Sequence, residues 1–105
     1  MRASSQFKKG ALEMCVLHFI QKEDRYGYEL TQRVNQFIPI TEGALYPVLR
    51  RLVKESYCVI YTKESPDGPS RKYYQMTDKG NEYLELLEHD WDEFVEQVTK
   101  LRGAD

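Results

Sequence analysis

The segment from Thr41 to Leu52 constrains the fold more than any other part of this sequence. Its apolar side chains recur at helical spacing and so share one face of a helix: Leu45, Val48, Leu49 and Leu52. The opposite face carries Gly43, Arg50 and Lys54. The pattern therefore predicts an α-helix that packs through one face and leaves cations free on the other.

The start of this helix has two alternatives. Thr41 is a suitable N-cap, because its hydroxyl can accept a hydrogen bond from the first turn. With that cap, however, Pro47 lies past the first turn and removes the hydrogen bond to the Gly43 carbonyl. Either the helix kinks at Pro47 or it begins near Leu45, and both versions place the backbone from Thr41 to Tyr46 on the outside.

Two further helices are predicted before this one. In helix one, Phe7 to Gln21, the apolar residues follow amphipathic spacing, and the opposite side is also apolar, which favours a second packing partner such as another subunit. Helix two spans Tyr26 to Phe37. Pro39 then forces an extended connection.

A β-hairpin follows the third helix. Cys58–Glu64 and Arg71–Met76 are rich in β-branched and aromatic residues, and Ser65–Ser70 between them forms a predicted six-residue tip. The rim of this hairpin is basic.

The last helix opens at Thr77, a second N-cap candidate. Apolar residues then recur at alternating spacings of three and four, which is the pattern of a helix that packs against another helix. We expect this stripe to form a dimer interface: Leu84, Leu87, Trp91, Phe94, Val98 and Leu101.

The predicted fold is mostly α with a small β-hairpin, that is, a winged helix-turn-helix over residues 1–77 followed by a C-terminal dimerisation helix over residues 78–105. With 105 residues, 41% of them hydrophobic, the two parts form one compact unit. No signal-type or membrane-spanning segment is evident, so we expect a cytoplasmic protein without a membrane partner.

The net charge of −2 is unevenly distributed. Residues 1–41 and 42–77 each carry six Lys or Arg against four Asp or Glu, whereas residues 78–105 carry three against nine. A local basic surface can attract a polyanion even when the whole chain is acidic. The acidic run in the last helix is interpreted as a solvated face.

Enzyme chemistry is not indicated. Cys15 and Cys58 form no C-x-x-C pair, and His18 and His89 do not complete a zinc pattern with them. The sequence contains no catalytic triad pattern and no phosphate-cradling glycine loop. We therefore expect no catalytic residue, no metal and no cofactor.

Three helices, a basic hairpin and a closing helix are the element order of a winged helix-turn-helix, whose third helix enters the major groove while the hairpin, or wing, contacts flanking phosphates. Double-stranded DNA is the predicted partner. The candidate contacts are Lys8, Lys9, Tyr26, Thr41, Glu42, Gly43, Ala44, Tyr46, Arg50, Arg51, Lys54, Lys63, Ser70, Arg71 and Lys72. The alternative is a winged-helix module that binds proteins and no operator.

Three blocks of the sequence also resemble those of PadR-type transcriptional regulators: Tyr26–Leu30 (YGYEL), Glu42–Leu52 (EGALYPVLRRL) and Arg71–Gly80 (RKYYQMTDKG). The single short C-terminal helix is similar to the small subfamily. One position departs from the pattern, because the family commonly carries glycine after Glu55 and this sequence has Ser56.

The resemblance implies a homodimeric repressor that binds an inverted-repeat operator, with helix one and the C-terminal helix forming the dimer interface. It also implies that a small aromatic effector relieves repression. Candidate effector contacts are Met14, His18, Leu87 and Trp91. Packing alone remains the other reading of Trp91, since aromatic residues are enriched at interfaces.

Overall fold

The computed structural model describes the backbone of residues 3–105 and the side chains of residue 8 and residues 10–105. Its elements are α1 (Ala3–Lys22), β1 (Arg25–Tyr26), α2 (Gly27–Asn35), α3 (Glu42–Lys54), β2 (Cys58–Ser65), β3 (Gly68–Met76) and α4 (Asp78–Gly103). This order confirms the predicted winged helix-turn-helix. In the part of the chain thus described, no helix is both long and apolar enough to cross a membrane.

The core lies where the three N-terminal helices meet the inner face of the sheet. From α3 it takes Leu45, Leu49 and Leu52, each 0% exposed, while Val48 at the edge of the same face is half-buried. The predicted packing face of this helix is therefore confirmed. Removing so many large apolar side chains from water is the main stabilising contribution to the fold.

Helix α3 begins at Glu42, so the alternative start near Leu45 is wrong. The Thr41 hydroxyl accepts a hydrogen bond from the Ala44 amide at 3.2 Å, as an N-cap does. Pro47 lies inside the helix. Its ring sits on the exposed side, and its missing amide leaves the Gly43 carbonyl without that intrahelical donor.

The end of α3 is a Schellman motif. Ser56 has φ of 64°, in the left-handed region. Its amide donates to the Val53 carbonyl at 3.0 Å, and the Tyr57 amide donates to the Leu52 carbonyl at 2.9 Å. The chain thereby reverses from α3 into β2 while the Leu52 and Val53 carbonyls stay paired.

The sheet has three antiparallel strands in the order β1-β3-β2. Strand β1 was not predicted. The hairpin also pairs further than predicted, as far as Ser65 opposite Gly68, so the six-residue tip is wrong and only Pro66 and Asp67 make the turn. Proline at the second position of a turn and glycine at the fourth suit such a tight reversal.

The first turns of α4 are docked tightly on the end of α3. The Thr77 hydroxyl caps α4 by accepting from the Gly80 amide at 2.9 Å. Gly80 lies so close to the Tyr57 carbonyl that a Cβ there would be 2.0 Å from its oxygen, which explains why this position holds glycine. The rings of Tyr57 and Tyr83 stack with centroids 3.9 Å apart.

Candidate nucleic-acid interface

The outer face of α3 is available for contact along its length. Side chains at its N-terminal end are exposed from Thr41 to Ala44, and so are Arg50 and Lys54 further along. Among the described residues, neither Arg50 nor Lys54 is in an ion pair. Free cations on one helix face can donate to phosphate oxygens or to guanine acceptors in the major groove.

Tyr46 and Arg50 connect this face to the neighbouring elements. The Tyr46 ring is 37% exposed and lies against Gly27, where a Cβ would come within 3.3 Å of the ring. Burial raises the pKa of Tyr74 on the inner face of the sheet, and the positive charge of Arg50 partly opposes that rise. The charge of Arg50 therefore acts on a side chain of the sheet.

Arg51 does not share this face, although the sequence prediction grouped it with Arg50. Its guanidinium forms a salt bridge with Glu13 of α1, and the Tyr83 hydroxyl of α4 donates to the other Glu13 oxygen at 2.6 Å. The pKa of Arg51 is raised, first by a hydrogen-bond interaction with the Tyr83 hydroxyl and next by the negative charge of Glu13. The structure thus places Arg51 in a network that joins α1, α3 and α4.

The predicted wing cations lie on two faces of the hairpin. Lys63 pairs across the strands with Arg71, and Thr62 pairs with Lys72. Because side chains alternate along a strand, Lys63 and Arg71 share the outer face, whereas Lys72 lies on the inner face. All three cations are exposed, as is Ser70.

The remaining DNA-contact candidates are scattered. Tyr26 is the N-cap residue of α2 and is half-buried at the edge of the sheet. Lys8 donates from Nζ to the Pro39 carbonyl at 3.2 Å, which ties α1 to the α2–α3 connection. The side chain of Lys9 lies outside the described residues.

Sequence reasoning missed two tyrosines on the outer face of the wing. Tyr61 and Tyr73 lie directly opposite each other, and Tyr26 of β1 lies opposite Tyr73. The alternation in β2 places Tyr61 on the same face as Lys63, and that signal was available. The register of the three strands could not be read from the sequence, because it depends on strand β1, which was not predicted.

A pocket of about 570 Å³ opens between α1, α2 and α4. Three of the four effector candidates, Met14, His18 and Trp91, are among its lining residues. Leu87 instead packs against the core. Charged groups of both signs border the pocket: Lys22, Arg33, Glu88 and Asp92.

The apolar stripe of α4 divides into two parts. Leu84 is 1% exposed in the core of the subunit, and Leu87 packs beside it. Beyond them the same face continues into solvent, where Val98 is half-buried and the others are exposed, namely Trp91, Phe94 and Leu101 together with the unpredicted Val95.

Known proteins match the chain along most of its length. Residues 16–86 match the sequence profile of the transcriptional regulator PadR-like family. An uncharacterised protein from Lysinibacillus sphaericus is 38% identical over 98 residues, which cover 90% of each chain. The negative transcriptional regulator PadR from Bacillus subtilis (strain 168) is 27% identical over 84 residues, spanning 76% of this chain and 44% of that protein.

The solved structures agree with this assignment. The crystal structure of a PadR-like transcriptional regulator from Bacillus cereus strain ATCC 14579 is 41% identical, superposes with a TM-score of 0.83, and covers 95% of this chain and 99% of that one. This near-complete overlap matches the predicted resemblance to the small subfamily. The sequence profile and the shared fold together establish that the chain belongs to the PadR-like family, whose members are DNA-binding transcriptional regulators rather than enzymes.

Proposed function

We propose that this protein is a homodimeric repressor that binds an inverted-repeat operator and is released by a flat aromatic effector. Each subunit inserts the N-terminal half of α3 into a major groove, with Arg50 reading bases or phosphates and the wing contacting the flanking backbone. The exposed ends of the two α4 helices contact each other in the dimer, so that the two α3 helices bind two half-sites.

The observation that carries this proposal is the division of α3 into two faces. Leu45, Leu49 and Leu52 are fully buried, while Arg50 and Lys54 on the opposite face are exposed and, among the described residues, without ion pairs. Such a helix is rigidly held from behind. Because the helix backbone is already ordered, only the side chains of these cations have to be ordered when DNA binds.

Dimerisation is supported by the exposed part of α4. Trp91, Phe94 and Leu101 are 45%, 59% and 73% exposed, and they continue a face whose first residues already pack against α1. A contiguous apolar surface of this kind is typical of an interface. A second copy of α4 would cover it, since alternating spacings of three and four residues suit helix-to-helix packing.

The effector part of the proposal is supported by the pocket between α1, α2 and α4. Trp91 belongs both to its lining and to the exposed stripe, so a molecule stacked on that indole would lie next to the dimer interface. Calorimetric titration with acridine, a flat aromatic probe, tests this part. We expect binding that Trp91→Ala abolishes, and equal binding by both proteins would refute the effector site.

Gel retardation with DNA flanking the protein's own gene tests the central part. We expect retardation by the wild type, and for Arg50→Ala a loss of about 1–3 kcal/mol of binding free energy with weaker sequence preference. Lys72→Ala should weaken binding to all sequences and lower the salt slope by about one. If the wild type retards no DNA at low salt, the protein-interaction alternative replaces this proposal.

A further inference from the structure

The outer face of the wing carries a row of three tyrosines. Tyr61, Tyr73 and Tyr26 lie opposite one another on β2, β3 and β1. The Tyr61 and Tyr73 rings stack with centroids 5.6 Å apart, and the Tyr73 and Tyr26 centroids are 5.8 Å apart. The next pair on the same face, toward the turn, is Lys63 and Arg71.

Two like charges directly opposite each other on paired strands destabilise a sheet. In the described part of the chain, neither Lys63 nor Arg71 has a carboxylate partner. Instead, each cation lies over a ring of the tyrosine row. Arg71 Cζ is 4.6 Å from the Tyr26 centroid, and Lys63 Nζ is 5.6 Å from the Tyr73 centroid, both within cation–π range.

The row is fixed to the helical part of the molecule at two points. Tyr26 is the N-cap residue of α2. At the other end of the row, the Tyr61 hydroxyl donates to Asp24 Oδ2 at 2.6 Å, and Gln75 Nε2 donates to the same oxygen at 3.3 Å. The connection between α1 and α2 therefore holds the row on both sides.

We propose that Tyr26 and Tyr73 are positioning residues, which hold Arg71 and Lys63 in the orientation that grips the phosphodiester backbone beside the groove entered by α3. This inference rests on the proposed function. The two cations repel each other, and without the rings to hold them their side chains would have to be ordered when DNA binds. The tyrosines act through the cations and carry no charge themselves.

The test compares affinity with its salt dependence. Fluorescence anisotropy is recorded at several salt concentrations with two labelled duplexes, one carrying the operator and one of mixed sequence, because phosphate contacts act on both. We expect Tyr26→Leu to bind both about threefold more weakly with an unchanged slope of log affinity against log salt. Arg71→Gln should weaken binding and lower that slope by about one. Tyr26→Phe, which retains the ring, should bind like the wild type.

Double variants provide the matched control. Tyr26→Leu should cost nothing further in the Arg71→Gln protein, but should still cost about threefold in the Lys72→Gln protein, whose missing cation lies on the other face of the wing. Equal losses in the two backgrounds would overturn the inference. So would wild-type affinity of Tyr26→Leu.

A second, independent cycle guards against a folding defect. If thermal melting shows that Tyr26→Leu is unfolded, Tyr73→Leu and Lys63→Gln are compared in the same way, with Tyr73→Phe as the ring-retaining control. Non-additive losses would support the inference and additive losses would overturn it. If the wild type binds neither duplex, the proposed function fails. If the wild type binds but Arg71→Gln keeps the full salt slope, only the present inference fails.

Discussion

Ser56 occupies a backbone conformation that glycine adopts more readily than any other residue. Its φ of 64° completes the Schellman motif at the end of α3, at the position where the resemblance to PadR-type sequences led us to expect glycine. A residue with a Cβ in the left-handed region loses about 1–2 kcal/mol of stability. Glycine avoids this strain, but it offsets part of the gain because its unfolded chain has more conformational entropy to lose on folding. Ser56 thus replaces the glycine of the family pattern while the Schellman turn at the end of α3 is retained.

We therefore predict that Ser56→Gly raises the free energy of unfolding by about 0.5–1 kcal/mol. Urea denaturation followed by circular dichroism measures this. Ser56→Ala is the matched control, because it removes the hydroxyl but keeps the Cβ, and it should show no such gain. A Ser56→Gly protein less stable than the wild type would contradict the Schellman geometry.

Because its thiol is buried, Cys58 should make the stability of the protein depend on pH. Burial raises the pKa of its thiol from the ordinary 9.0 to about 11, so the folded state favours the neutral form. The stability that this contributes is complete below pH 9 and is lost as the pH rises through about 11. The stability difference between the wild type and Cys58→Ala, measured by urea denaturation, should narrow over that range. A difference independent of pH would rule out a buried neutral thiol.

At the scale of elements, the two adjacent arginines of α3 have different surroundings. Arg50 is exposed, whereas Arg51 pairs with Glu13 in the network completed by Tyr83. The network joins α3 to α1 and α4, the two helices that the resemblance to PadR-type regulators assigns to the dimer interface. Because the Arg51 side chain is half-exposed, solvent weakens the pair and its contribution to stability is small.

The predicted consequence is a separation of effects. Arg51→Ala should lower the free energy of unfolding by about 0.5–1 kcal/mol and leave DNA affinity close to that of the wild type. Arg50→Ala should lower DNA affinity and leave the free energy of unfolding close to that of the wild type. Thermal melting and anisotropy titration on the same preparations measure the two effects. A large loss of affinity in Arg51→Ala, with unchanged melting, would return this residue to the DNA-contact surface.

How far the sequence predicted the elements depends on where each one obtains its stability. Helix α3 and helix α4 carry their own caps and apolar periodicity. Thr77 was predicted as the cap of α4, and Thr41 was one of two alternatives for the start of α3. Strand β1 has only two residues and exists through pairing with β3, so no local pattern could indicate it. For the same reason the ion pair of Arg51 was invisible, since Glu13 is distant in sequence.

At the scale of the whole molecule, α4 gives the subunit its elongated shape, with extents of 60 × 31 × 21 Å. A helix of 26 residues is about 39 Å long, and only its first turns reach the core. The remainder exposes an apolar face that one subunit cannot cover. A single chain thus buries its own core but leaves the apolar face of α4 exposed, and this exposed face is the basis for the proposed homodimer.

Phe94→Glu should convert the dimer into a monomer at micromolar concentration, as measured by sedimentation equilibrium. The carboxylate would lie in the apolar interface, while the isolated subunit, in which Phe94 is 59% exposed, should remain folded. Leu86→Glu is the matched control. Leu86 is also exposed, at 62%, but lies roughly 120° around the helix from the centre of the stripe, so this variant should stay dimeric. A monomeric wild type would contradict the proposed assembly.

Selection of bound sequences from a pool of random DNA duplexes tests whether a symmetric dimer reads DNA through α3. We expect the purified protein to enrich an inverted repeat, whose half-sites are related by the twofold axis of the dimer and separated by about one helical turn. Arg50→Ala should lose that enrichment while Arg51→Ala retains it. Recovery of no common motif, or of a single half-site without symmetry, would show that the protein is not a homodimer that reads DNA through α3.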